Sequence, residues 1–217
     1  MIAVVTSPLF EFFFGPYVDY SWSDICIEAL AVLFGLASVW YSKQNKIAVF
    51  PTGMLSTALF VYLLWKAELL GDMLINAYYF SMSVYGWYYW TRREGETLLN
   101  PISYTNNNEW RRSVLLFVAA VLFIYVVYSY WNRWTSWTAY VDTFTTALFF
   151  VGMWLMAKRK IENWIFWIVG DLISIPLYFY KGLTLTSLQF CVFTILAIWG
   201  YQSWKNEYNK SQLSSIE

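Results

Sequence analysis

The sequence contains no histidine, which removes histidine-based triads, imidazole metal ligands and imidazole proton relays. Its two cysteines, Cys26 and Cys191, lie far apart in apolar runs, so neither a thiol zinc site nor a disulfide framework is expected. Charge is scarce as well. Only 13% of the residues are charged, and the 14 Lys and Arg balance the 14 Asp and Glu. A neutral chain has no broad field to steer anionic partners, which argues against nucleic acid as a ligand. No cofactor or metal site is expected from this set of side chains.

Apolar and aromatic residues take up what is left: 59% of the 217 residues are hydrophobic and 23% are aromatic. Soluble domains are roughly 45–50% apolar and about 25% charged, so the composition is that of an integral membrane protein. A spanning helix needs roughly 20 mostly apolar residues. Seven such runs can be drawn, at about 25–42, 47–65, 70–90, 112–131, 138–157, 163–180 and 183–204. Residues 1–24 are aromatic and broken by Pro8, Gly15 and Pro16. Without a basic start or a cleavage site they read as an interfacial segment and not as a signal peptide.

Loop charges orient the chain. With seven spans and the N-terminus outside, eleven Lys and Arg fall on the inner side and three (Lys66, Arg133, Lys181) on the outer side. The expected location is therefore a cell membrane, with residues 205–217 as a cytoplasmic tail.

The two halves resemble each other in order. Asn45, Gly53, Lys66, Gly86 and Trp90 are spaced by 8, 13, 20 and 4 residues. Asn163, Gly170, Lys181, Gly200 and Trp204 are spaced by 7, 11, 19 and 4. The expected fold is all-α, with seven transmembrane helices as 3+1+3. Residues 25–90 and 138–204 form two three-helix repeats, and 91–137 hold a loop and a connecting helix. Adjacent copies of an odd-numbered unit would face opposite ways. The fourth helix restores a parallel arrangement, one of the known transporter designs, with the site at the repeat interface.

Polar side chains inside spans are functional suspects. On the sixth run Trp164, Trp167, Asp171 and Tyr178 fall within about 60° of one another, behind Asn163. On the third, Asp72, Asn76, Tyr79, Ser83 and Trp90 share a face. The fifth offers Asp142, Thr145 and Thr146, and the seventh Thr184, Thr186 and Gln189. Most other Trp and Tyr near span ends read as an interfacial belt. Asp72 and Asp142 lie near ends and equally suit solvated caps, whereas Asp171 lies too deep for that. Aromatic faces beside amides and a buried acid suit a flat polar ligand, a cation in particular. No chain of ionisable groups crosses the span, so ion-coupled pumping is not suggested.

Two other classes remain open. Asp72 and Asp171 each follow a glycine, as in intramembrane aspartyl proteases, but Ile168 stands where that family's Gly-x-Gly-Asp needs glycine. A sugar carrier would share the parallel-repeat design.

Several stretches resemble the PnuC family of bacterial vitamin transporters. They are Pro51-Thr-Gly53, Asn76 to Trp90, Asp142-Thr-Phe-Thr-Thr146, Lys158-Arg-Lys-Ile-Glu-Asn-Trp164 with Trp167, Asp171, Leu177-Tyr178, Lys181-Gly-Leu183, Ser187-Leu-Gln189 and Gly200-Tyr-x-x-Trp204. The likeness spans roughly residues 25–205. It implies a homotrimer in the bacterial inner membrane that takes up an unphosphorylated vitamin passively, usually nicotinamide riboside, which cytosolic phosphorylation then traps. Thiamine and riboflavin are alternative family substrates. By the same resemblance Trp164 and Trp167 stack on the ring, and Asn163, Asn76 and Gln189 bond amide or ribose groups. Asp171 and Tyr178 complete the pocket, with Tyr79 and Thr146 beside them. The first-half positions matching Trp164 and Trp167 fall near Lys46 and Val49, so aromatic recognition is expected from one side only.

Overall fold

The computed structural model describes residues 21–66, 69–95, 97–132, 134, 136–182 and 184–213. The expected interfacial segment lies outside the described residues up to position 20, as do Arg133 and the last four residues. Seven helices follow in order: α1 (Trp22–Lys43), α2 (Val49–Lys66), α3 (Leu70–Thr91), α4 (Asn107–Tyr130), α5 (Thr138–Ala157), α6 (Asn163–Tyr180) and α7 (Thr184–Leu213). Between α3 and α4 a short antiparallel ribbon pairs β1 (Arg93–Glu94) with β2 (Thr97–Leu98), turning at Gly95 with φ +61°. This ribbon is an addition to the all-helical expectation.

Three helix ends differ from the expected bounds, two of them through capping. The hydroxyl of Ser21 accepts from the Asp24 backbone N–H, so α1 begins at Trp22 and not near 25. A capping box starts α4 at Asn107 and not near 112. The Asn106 side chain accepts from the Glu109 N–H at 2.9 Å, and the Glu109 carboxylate accepts from the Asn106 N–H at 3.1 Å. Arg111 and Arg112 therefore belong to the helix and not to the loop before it. Nothing in the polar stretch after Trp204 breaks a helix, so α7 continues through the expected tail to Leu213.

Four helices, α1, α2, α4 and α5, are long and apolar enough to cross a membrane by length and composition. In α3 and α6, amides, acids, tyrosines and tryptophans lower the mean hydropathy. Large apolar side chains point outward, among them Leu33, Leu115, Leu122 and Val126, as expected where the surrounding solvent is lipid.

Helix α2 packs between α1 and α3, and α6 packs between α5 and α7. Helix α4 lies mainly on α5, and the two groups meet through α3 with α5 and α1 with α7. At that junction the bonds are reciprocal. The Trp90 indole N–H donates to the Ala157 carbonyl at 3.1 Å, and that of Trp204 donates to the Ser42 carbonyl at 2.8 Å. The two buried rings lie 5.7 Å apart. Glycines make room around them. A Cβ on Gly86 would lie 2.3 Å from the Phe50 ring, and one on Gly200 would lie 2.5 Å from the Trp164 ring. Asn45 and Arg159, in the turns after α1 and α5, adopt the left-handed region at φ 53° and 55°.

The segment before α4 is clasped to the α5–α6 turn. Ser103 bridges to Lys160, the Ile161 N–H donates to the Ser103 carbonyl at 3.0 Å, and Glu162 accepts from the N–H and hydroxyl of Thr105. Lys160 pairs with Glu109 at 2.9 Å, and Lys158 approaches the same carboxylate at 3.6 Å. Arg159 lies 4.2 Å over the Trp90 ring and donates to the Asn100 carbonyl. Burial pushes its guanidinium down to about 10, which leaves it charged at neutral pH. The Lys158-Arg-Lys160 run is thus a buried clasp.

Candidate functional site

A cavity of about 180 Å3 opens between the two helix groups. One wall is made of small and hydroxyl residues: Gly35, Ser38 and Ser42 on α1, Gly53, Ser56 and Thr57 on α2, and Ser83 on α3. The other wall is aromatic and acidic, with Trp164, Trp167 and Asp171 on α6. Tyr79 from α3 and Phe193 from α7 also line it.

Most hydroxyls of the small wall are already committed. Ser38 donates to the Val49 carbonyl, Ser56 to Ala31 and Thr57 to Gly53, each at 2.8 Å. Ser42 and Ser83 have no hydrogen-bond partner among the described residues. The opposite wall is less satisfied. Asp171 is 2% exposed and has neither an ion-pair nor a hydrogen-bond partner among the described residues. The Trp164 indole N–H is buried and unpartnered too. Unpaired buried polar groups cost free energy, so a cavity that gathers four of them is built to be filled by something polar.

The two tryptophans are not equivalent. Trp164 is 2% exposed, pressed on Gly200 and edge-on to Trp204 at 5.5 Å. Its faces are largely taken up by packing. Trp167 is half-buried, with Phe149 stacked at 5.4 Å and Tyr79 at 6.5 Å.

Of the residues expected from sequence, the cavity brings together Tyr79, Trp164, Trp167 and Asp171. The others lie elsewhere. Asn163, fully buried at the start of α6, donates to the Lys160 carbonyl at 2.6 Å. Asn76 donates to the Asp72 carbonyl, Tyr178 packs on Phe190 beneath Lys181, Thr146 is half-buried and Gln189 is exposed. Of the hydroxyl wall only Ser83 and Gly53 were singled out by the sequence, and the rest was missed. Its signal was the spacing of Gly35, Ser38 and Ser42, and of Gly53, Ser56 and Thr57, small residues on one face where helices approach closely.

Asp142 is no solvated cap: it pairs with Lys181. That pair and Asp72 line a second cavity of about 330 Å3 between the start of α3 and the end of α4. Asp72 and Asp171 thus line different cavities, and the shared carboxylate site of an aspartyl protease is absent among the described residues. No cluster of metal-ligating side chains occurs there either.

A family model described as "Nicotinamide mononucleotide transporter" matches residues 25–206. The chain belongs to that family. Within it, the nicotinamide riboside transporter PnuC of Escherichia coli (strain K12) is 23% identical over 87% of each chain. The riboflavin/roseoflavin transporter RibM of Streptomyces davaonensis is 24% identical over 84% of each. A crystal structure of the vitamin B3 transporter PnuC matches with a TM-score of 0.59 at 24% identity, covering 91% of this chain and 88% of that one. The shared fold is that of a membrane transporter family, and the cavity between the two helix groups gathers the unpartnered Ser42, Trp164 and Asp171.

Proposed function

We propose that the protein carries nicotinamide riboside across a bacterial inner membrane by facilitated diffusion, with phosphorylation in the cytosol trapping the product. The observation that carries this reading is Asp171, a buried carboxylate without a protein partner beside the rings of Trp167 and Tyr79. The pyridinium ring of nicotinamide riboside is flat and permanently cationic. A carboxylate in low dielectric and aromatic faces both favour such a ring. The cavity lining includes no Lys or Arg. A phosphate monoester would be left beside Asp171 without a counter-charge, which favours the riboside over the mononucleotide. Thiamine, whose thiazolium is also cationic, is the second reading that Asp171 supports. Riboflavin is uncharged and gains nothing from the acid.

The architecture we propose is seven spans as 3+1+3, with α1–α3 and α5–α7 as parallel repeats joined by α4. Three pairs separated by the same 114 residues support it: Phe50 and Trp164, Gly86 and Gly200, Trp90 and Trp204. Asn45 and Arg159 share that spacing and the same backbone turn. In this register Trp164 and Trp167 correspond to Phe50 and Gly53, and not to Lys46 and Val49, so only the Trp167 position is aromatic in one repeat alone. The N-terminus outside, the C-terminus inside and a homotrimer complete the proposal.

The test is a titration of purified protein with nicotinamide riboside, nicotinamide mononucleotide, thiamine and riboflavin, following tryptophan fluorescence. Tight binding of the riboside and none of the mononucleotide is expected. Silence with the riboside and saturation by another vitamin would overturn the substrate assignment.

A further inference from the structure

The cavity has a direction. At one end stand two buried polar atoms that no protein group satisfies, the hydroxyl of Ser42 and the indole N–H of Trp164. Both residues are more than nine-tenths buried and both line the cavity. The indole can only donate. Asp171 lies seven residues further along α6, about 10 Å at the helical rise. Beside a cationic ligand its carboxylate accepts hydrogen bonds. One end therefore asks the ligand for an acceptor, and the other for donors or positive charge.

Trp204 builds the donor end. Its indole N–H holds the Ser42 carbonyl at 2.8 Å, and its ring meets Trp164 edge-on at 5.5 Å. Gly200 leaves the space that Trp164 occupies. With the ring packed, the indole N–H is the part of Trp164 left without a protein partner. A carboxamide matches this end in a single planar group, since its oxygen accepts from the indole and its NH2 donates to the serine hydroxyl. The hydroxyls of a sugar are donors that the carboxylate end can take.

We infer that Ser42 and the indole N–H of Trp164 together bind the carboxamide of the ligand and make position 42 a specificity determinant, with the ribosyl end directed toward Asp171. This rests on the riboside reading above and adds the ligand's orientation to it. Neither residue contributes charge, so the effect is on selectivity among cationic ribosides and not on cation binding itself.

The experiment uses the full-length purified protein and two probes, nicotinamide riboside and the riboside of unsubstituted pyridine, which keeps the charge and the sugar but lacks the carboxamide. Wild-type protein is expected to favour the first by about tenfold or more, the effect of buried hydrogen bonds lost with the amide. In Ser42→Ala that preference falls several-fold, while affinity for the unsubstituted riboside is unchanged. Equal wild-type affinities for the two probes overturn the inference without recourse to any variant. So does a Ser42→Ala protein that weakens both probes alike, because the hydroxyl then acts only on the fold. A wild-type protein that binds neither probe overturns the underlying riboside reading and this inference with it.

Discussion

The indole N–H of Trp204 donates to the main-chain carbonyl of Ser42 at 2.8 Å, across the junction between the two helix groups. Trp90 makes the reciprocal bond to Ala157 at 3.1 Å. Each ring comes from the last helix of one group and ends on the first helix of the other. Both tryptophans look like interfacial belt residues in the sequence, yet they are at most 2% exposed and tie the groups together.

Trp204→Phe keeps an aromatic ring but removes the donor and part of the buried ring's volume. The Ser42 carbonyl also accepts from the Asn45 N–H at 2.9 Å, so it is not left bare. The expected loss is about 2–3 kcal/mol, from the bond and the cavity together, with Trp90→Phe alike. Thermal denaturation in detergent reads this as a lowered Tm for each variant, and a wild-type Tm in both would show the bonds to be idle.

Gly200→Ala and Gly86→Ala separate site from scaffold. The added methyl at 200 meets the Trp164 ring at 2.5 Å, and at 86 it meets Phe50 at 2.3 Å. Each overpacks a rigid ring at about 1–3 kcal/mol. Since Trp164 lines the cavity and Phe50 does not, Gly200→Ala is expected to weaken ligand binding more for a similar fall in Tm. Paired melting and binding curves decide it, and equal loss of affinity in both variants counts against Trp164 as a wall of the site.

The long apolar runs made the helices legible, because a 20-residue apolar stretch has few other uses. Their ends were less so, since a capping box such as Asn106 with Glu109 is local chemistry inside a polar stretch. The stripe on α6 picked out Trp164, Trp167 and Asp171 because helical periodicity alone places them on one face. Asn76 and Gln189 were picked out as polar groups within spans and again by the resemblance, and the cavity does not include them. Small-residue spacing puts Ser42 on a close-packing face but does not give its role. Its role depends on contact with α6 and α7, residues more than a hundred positions away, and no local pattern encodes that.

The clasp before α4 predicts a structural use for charge. Glu109 is nearly buried against Lys160 and Lys158. Glu109→Gln leaves two ammonium groups without their carboxylate, at an expected cost of about 3 kcal/mol. Melting in low and high salt checks this. Because the pair is shielded, salt should not reproduce the loss, whereas a surface pair would be screened.

Asp171→Asn tests what the cavity is for. The change keeps size and shape and removes one negative charge from a site where no Lys or Arg lines the wall. A cationic ligand loses its counter-charge, so affinity for nicotinamide riboside should fall about ten- to a hundredfold, as when one partner of a buried charge pair is removed. A neutral ligand loses nothing and gains a site that is cheaper to desolvate. Riboflavin binding, if wild type has any, should hold or rise. Asp171 has no protein partner to lose, so Asp171→Asn is expected to melt at or above the wild-type temperature. Stability and affinity should therefore move in opposite directions, a pattern that damage to packing cannot produce. An Asp171→Asn protein that binds the riboside as well as wild type would remove the carboxylate from the recognition scheme.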